Sequence, residues 1–261
     1  MDVLNVSLQG KVTIVTGARR GIGKALALGF ARAGAHVALC DHVVEDGLLE
    51  AVAREIEDSG RPSLAMQADV TKKTDVDRMV KQTIEQLGGV DILINNAGMI
   101  PRATPLEISE EMWDTVMAVN LKGCLLCSQG AAKRMIEQQR GGSIIHISSV
   151  AGIEANVNRA GYASSKAGLI MLARQMAIEL GAHNIRVNTI APSNVKTEWN
   201  RDIHTDPEKS KQRLSIVPIK RWVEPTETVN AALFLASDFA TYITGITLPV
   251  DGGRLAGVIL P

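Results

Sequence analysis

Tyr162 and Lys166 stand four residues apart in GYASSK, and Ser149 lies thirteen residues before the tyrosine. On a helix, positions i and i+4 sit one above the other on a single face. An ammonium group held beside a phenol stabilises the phenolate. The pair can then give or take a proton at a carbonyl or an alcohol. Alone, a Y-x-x-x-K spacing describes a surface pair equally well, so its meaning depends on what surrounds it.

The surrounding pattern is an alternation of strands and helices. Short apolar runs at Val12–Thr16, His36–Cys40, Ser63–Gln67, Asp91–Asn95, Ser143–Ser148, Ile185–Ile190 and Ile246–Val250 predict seven strands. Helices are predicted over Gly23–Ala33, Val44–Ser59, Thr74–Leu87, Glu110–Gln138 (interrupted near Asn120–Gly123), Ala160–Leu180 and Thr226–Ala236. The strands are continuously apolar, as expected of a parallel sheet covered on both faces. The fold class is therefore α/β, a single Rossmann-type doubly wound domain over residues 1–261. The irregular stretch 191–225 is long enough to be a functional lid.

The first strand runs into Thr16-Gly17-Ala18-Arg19-Arg20-Gly21-Ile22-Gly23, which opens the first helix. Glycines there allow a tight turn and close approach of backbone to a pyrophosphate, which meets the helix N-terminus. Asp41 closes the second strand, where a carboxylate can bind the ribose hydroxyls and repel a 2′-phosphate. That favours NAD, while Arg19 and Arg20 could pair a 2′-phosphate and keep NADP open. Asp69 and Val70 after the third strand could meet adenine, or simply form a turn. Asn95, Asn96, Ala97 and Gly98 after the fourth could leave room for ribose or tie loops together. All of these lie at C-terminal strand ends, where open α/β sheets bind ligands.

Composition narrows the function classes. With 28 basic and 28 acidic residues the formal net charge is zero, which gives no electrostatic footprint for nucleic acid or an anionic membrane. The N-terminus lacks a signal-peptide pattern, and no run is long and apolar enough to span a bilayer, so a cytoplasmic protein is expected. Three cysteines read as reduced thiols. Cys124 and Cys127 form a C-x-x-C, but inside an apolar helical stretch without a completing pair or histidine, so packing is expected and no metal site.

Taken together, TGARRGIG, the NNAG at 95–98, the VNLKG holding Asn120, Ser149 and the Tyr162–Lys166 pair resemble the short-chain dehydrogenase/reductase family over nearly the whole chain. The resemblance implies Asn120, Ser149, Tyr162 and Lys166 as the catalytic set, with Asn120 holding a water that passes protons from Lys166 to solvent. It implies that Lys166 and Tyr162 also meet the cofactor, that Pro192 and Thr197 flank the nicotinamide, and that the chain forms a homotetramer. Ser148 competes with Ser149, and the spacing to the tyrosine favours Ser149. One departure is Ser193, where the family commonly has glycine after Pro192, so a reshaped turn is expected. A non-catalytic nucleotide sensor on the same fold is the reading from another class. The complete catalytic set argues against it.

Substrate is expected to meet Ser149, Tyr162, the polar segment with Glu154, Asn156, Asn158 and Arg159, the Met99–Thr104 loop, and Trp199 in the lid. Polar groups of this kind suit a hydroxylated, sugar-like alcohol or ketone. The ending ATYITGITLPVDGG resembles glucose dehydrogenases of the family. The 3-oxoacyl-carrier-protein reductases share the same motifs and form the alternative.

Overall fold

A computed structural model describes residues 6–257. The first five residues, part of the segment without a signal-peptide pattern, and residues 258–261 lie outside the described residues. Seven strands form one sheet in the order β3-β2-β1-β4-β5-β6-β7: β1 Val12–Thr16, β2 His36–Asp41, β3 Ser63–Gln67, β4 Ile92–Asn95, β5 Gly142–Ile147, β6 Ile185–Pro192 and β7 Thr247–Val250. Every neighbouring pair is parallel. The order reverses between β1 and β4, and that switch opens a crevice at the C-terminal strand ends.

Successive strand residues face opposite sides, so each strand feeds two cores. Val15, Val37, Ile94 and Ile145 pack against α1 Gly21–Arg32, α2 Leu48–Asp58 and α9 Pro225–Ala236, around the fully buried Phe30. Ile14, Leu93, Ile144 and Val187 pack on the other side, against α3 Lys73–Leu87, α5 Gly123–Gln138 and α6 Ala160–Leu180. Full burial of each large side chain contributes roughly 1.5–3 kcal/mol, and that fixes which face of each strand meets which helix layer.

Two elements depart from the sequence reading in ways that bear on the site. The second helix begins at Leu48 rather than Val44, because Gly47 takes a left-handed φ of 68° and Asp46 accepts a hydrogen bond from the Leu48 N–H. Residues 44–47 thereby become a loop beside the glycine-rich turn. The predicted interruption near Asn120–Gly123 is a π-helical stretch, Ala118–Lys122, joining α4 Glu110–Met117 to α5 without a break. Such insertions shift one turn of backbone and often mark functional sites. In the 191–225 stretch, β6 continues to Pro192, and two short helices follow, α7 Arg201–His204 and α8 Pro207–Leu214.

Candidate active site

Ser149 follows the end of β5, Lys166 of α6 reaches back to that end, and Asn120 is tied to α6 through Ser165. The Lys166 Nζ lies 5.8 Å from the centre of the Tyr162 ring, one turn down α6, and both side chains are buried. Nζ donates to the Ile147 carbonyl at 2.8 Å. An ammonium has three N–H donors, so two remain for other partners. The two serines divide as their opposite facing requires. The Ser148 Oγ is buried and donates to the Lys166 carbonyl at 2.9 Å, tying the end of β5 to α6. The Ser149 Oγ accepts from the Ala151 N–H at 3.1 Å, which leaves its own proton free to donate.

The Asn120 side chain is fully engaged. Its Oδ1 accepts from the Met99 N–H at 2.9 Å, and its Nδ2 donates to the Met99 carbonyl and to the Ser165 Oγ, both at 3.0 Å. It locks the 98–99 backbone against α6. Beneath it lies a buried group that sequence reasoning missed. The Asn95 Nδ2 lies 2.9 Å from the Ser128 Oγ and 3.1 Å from the His146 Nδ1. Burial, and then the charge of Lys166, push His146 down from 6.5 to about 3, so its ring is neutral. A polar residue in the middle of the apolar SIIHIS strand was the available signal.

The nucleotide end is a tight cradle. A Cβ on Gly17 would stand 2.8 Å from the Ala97 Cα, and one on Gly23 would overlap the Gly17 carbonyl oxygen. Asn96 clamps this turn, its Nδ2 donating to the Thr16 and Gly17 carbonyls at 3.0 and 2.9 Å, while the Ala97 N–H donates to Thr16 Oγ1. Arg20 offers no side-chain cap to α1, and its first turn carries no acidic residue. The free N–H groups and dipole end are thus left for an anion. Gly21 faces the Thr197 methyl group across the turn, and a Cβ on Gly98 would lie 3.5 Å from the Lys166 Nζ. The uncapped helix end, the glycine turn and the Gly98–Lys166 contact together suit an extended dinucleotide.

A family model described as enoyl-(acyl carrier protein) reductase matches residues 17–254. The 2-dehydro-3-deoxy-D-gluconate 5-dehydrogenase of Escherichia coli K12 is 38% identical over 96% of this chain and 97% of its own. A 3-oxoacyl-(acyl-carrier-protein) reductase, FabG, of Staphylococcus epidermidis is 40% identical over 93% and 98%. A short-chain alcohol dehydrogenase structure from Sinorhizobium meliloti, provisionally assigned, superposes with a TM-score of 0.92 at 37% identity, covering 97% and 99%. A provisional NAD(P)-dependent gluconate 5-dehydrogenase from Beutenbergia cavernae, with NADP bound at low occupancy, gives 0.89 at 37% identity, covering 97% and 100%. The chain belongs to the short-chain dehydrogenase/reductase family. It is an NAD(P)-dependent oxidoreductase that interconverts alcohol and ketone groups.

Several short-chain dehydrogenase positions expected to touch ligands are occupied by internal contacts here. Glu154 and Asn156, expected to face substrate, hold Arg254. Its Nε donates to Glu154 Oε2 and its Nη2 to Asn156 Oδ1, each at 3.0 Å. Asn158 takes a left-handed φ of 58°, and its carbonyl accepts from the Ala103 N–H. Asp69 accepts from the Thr71 N–H and hydroxyl; against burial, which raises it, these bonds and Lys72 hold its carboxyl below the usual range. Val70 packs against Gly123, and Ile22 against the core.

Arg19 is drawn to Asp46 and lies 3.8 Å from Asp41. Asp46 reaches it from the loop that the late start of α2 creates. Arg20 is exposed, as is Trp199. Ser193 is absent from the left-handed positions, and its N–H donates to the Val250 carbonyl at 3.0 Å, so the departure from glycine is absorbed without strain. Its Oγ is buried with no partner among the described residues. Cys124 and Cys127 are buried in α5; burial pushes the Cys124 thiol up to about 11 and raises Cys127 well above its ordinary value. Both favour the protonated thiol, which suits packing.

Proposed function

We propose that the enzyme oxidises or reduces a secondary alcohol or ketone on a hydroxylated, sugar-like small molecule, with Tyr162 as general acid/base. The observation that carries this reading is the corner at the end of β5. There a serine with an uncommitted proton, a tyrosine and a lysine with two free N–H donors meet beside an anion-ready helix end. A bound nicotinamide dinucleotide supplies or accepts the hydride. Ser149 donates to the reacting oxygen and stabilises its developing charge. Tyr162 takes the proton in oxidation and returns it in reduction. Lys166 favours the phenolate and binds the cofactor ribose. By resemblance to the family Asn120 holds the relay water; its side chain is committed to Met99 and Ser165, and its backbone carbonyl, which accepts from the Cys124 Sγ at 3.3 Å, keeps one lone pair for that water.

Gly17, Arg19, Gly21, Gly23, Asp41, Asn96, Ala97 and Gly98 form the cofactor face of this reading, with Pro192 and Thr197 at the nicotinamide end. NAD is the preferred cofactor. Asp41 ends β2, where a carboxylate would accept from the adenosine ribose hydroxyls, and Arg19 is already neutralised by Asp41 and Asp46. The α7–α8 segment acts as the lid, with Trp199 its apolar contact.

Two separate exposed apolar faces support a homotetramer, since a dihedral assembly needs two interfaces. One carries Met171 and Ile178 on α6, next to a groove lined by Met117, Leu121 and Leu172; the other carries Phe239 and Tyr242. Among the described residues no helix is long and apolar enough to cross a membrane. A cytoplasmic setting fits three free buried thiols.

A panel of polyols, sugars and sugar acids, followed by NADH absorbance, tests the reading. Turnover confined to hydroxylated substrates supports it, and turnover confined to acyl thioesters contradicts it. The second reading, a 3-oxoacyl-carrier-protein reductase, is favoured by the 40% identity to the FabG relative.

A further inference from the structure

Three segments far apart in sequence are fastened together over Tyr162. The 100–104 loop is zipped to the serine–tyrosine connection. Ala103 pairs with Arg159, its N–H donating to the Asn158 carbonyl at 3.3 Å, and its carbonyl accepting from the Ala160 N–H at 3.4 Å. The C-terminal turn is pinned to the same connection by Arg254, through Glu154 and Asn156. That turn packs in addition on the segment after α8, where Gly252 and Gly253 face Val217 and Pro218.

Each of these three segments brings an arginine, Arg102, Arg159 and Arg254, and α8 brings a fourth, Arg213. The Arg159 guanidinium lies 5.8 Å from the centre of the Tyr162 ring. Arg102 and Arg213 are near enough to act on its charge, and Arg102 and Arg254 act on that of Arg213.

Apart from Tyr162, which favours the Arg159 charge, nothing among the described residues compensates the charges of Arg159 and Arg213. Arg254 is spent on Glu154. No carboxylate is among the groups acting on Arg159 or Arg213, and both are half-buried. Among the described residues neither guanidinium makes an ion pair or a side-chain hydrogen bond. Burial first, then the like charges, push both arginines below their ordinary range. Half-buried guanidiniums that repel one another and lack internal partners are costly to hold, and an anion between them removes the cost through charge-assisted, bidentate bonds.

We propose that Arg159 and Arg213, with Arg102 at the rim, form a carboxylate subsite that holds the acid end of a sugar-acid substrate while a hydroxyl further along its carbon chain reacts at Tyr162. The proposal rests on the sugar-like reading of the site. Fixing the acid end selects which hydroxyl reaches the tyrosine, so the subsite sets regiochemistry as well as affinity.

The test is calorimetric binding of D-gluconate, and of its uncharged counterpart D-glucitol, to the enzyme saturated with NADH. Gluconate should bind at least about 10-fold more tightly than glucitol, and added salt should narrow the gap. Arg213→Gln and Arg159→Gln should each weaken gluconate by about 10- to 100-fold, the loss of hydrogen bonds to a charged group. Glucitol and NADH affinities should stay within about twofold, which also reports correct folding. Equal binding of the two ligands, or an unchanged gluconate affinity in both variants, overturns the subsite. So does finding that the substitutions abolish binding of an acidic acyl carrier protein and leave gluconate unaffected. The binding pattern without any turnover would sink the catalytic reading and leave the subsite standing. Equal turnover of gluconate and glucitol, unaffected by the substitutions, would do the reverse.

Discussion

Ser148→Ala and Ser149→Ala remove the same atom from adjacent residues and separate catalysis from structure. Ser148 loses a buried hydroxyl that donates to the Lys166 carbonyl at 2.9 Å. A hydrogen bond of this kind contributes about 1 kcal/mol, which lowers Tm by about 2–4 °C in a chain of this size. Ser149 loses an acceptor for the Ala151 N–H at 3.1 Å, a similar cost. The two variants should therefore melt within a few degrees of each other and of the parent. Their kinetics should differ widely. Only Ser149 has a proton free for the reacting oxygen, and loss of one such donor lowers kcat by about 10²- to 10³-fold. Ser148→Ala should retain kcat within a few-fold. Steady-state assays with NADH absorbance, beside thermal melts of both proteins, make the comparison. Near-parental kcat in Ser149→Ala, or an equal collapse in Ser148→Ala, would refute the division of roles.

Asp41→Ser should shift kcat/KM from NAD toward NADP by about 10-fold or more, because the repelling carboxylate goes and Arg19 keeps one acidic partner instead of two; an unchanged ratio in cofactor-competition assays would contradict the ribose role of Asp41. His146 lies at about 3 in the folded protein against 6.5. The unfolded chain therefore takes up a proton that the native state refuses between those values, and stability falls as pH drops below 6.5. At pH 5 this contributes about 2 kcal/mol of loss, and His146→Asn should flatten the urea-denaturation stability profile between pH 6.5 and 5 by about that amount. Ile178→Glu should abolish one apolar interface and Tyr242→Glu the other, each giving dimers by analytical ultracentrifugation; tetramers in both variants would refute the two-face assembly.

Much of the fold was legible because continuous apolar runs such as Ser143–Ser148 tolerate few readings once both faces must be covered. The strand order and crevice then follow from short right-handed connections. The candidate catalytic residues stand out in the sequence because the chemistry proposed for them depends on types at fixed local spacing, as in Tyr162 and Lys166. Long-range pairing was not. Arg254 reaches Glu154 and Asn156 from about a hundred residues away. No local pattern distinguishes a loop carboxylate that waits for substrate from one that holds an arginine. Arg213 likewise reads as one charge on the polar helix PEKSKQRL. Its meaning appears only when the turn at Gly252 and the 159 connection bring other arginines beside it. The late start of α2 was hidden because VVEDG scans as helix until Gly47 adopts its left-handed φ.

If Tyr162 moves the proton, Tyr162→Phe must lose hydride transfer and keep cofactor binding. The ring is retained, so the packing against Lys166 and Arg159 survives. Single-turnover hydride transfer, measured at saturating cofactor on a substrate the parent turns over, should fall by at least about 10²-fold, with NADH affinity within about twofold of the parent. Hydride transfer at near-parental rate in this variant would show that a group other than the Tyr162 hydroxyl moves the proton.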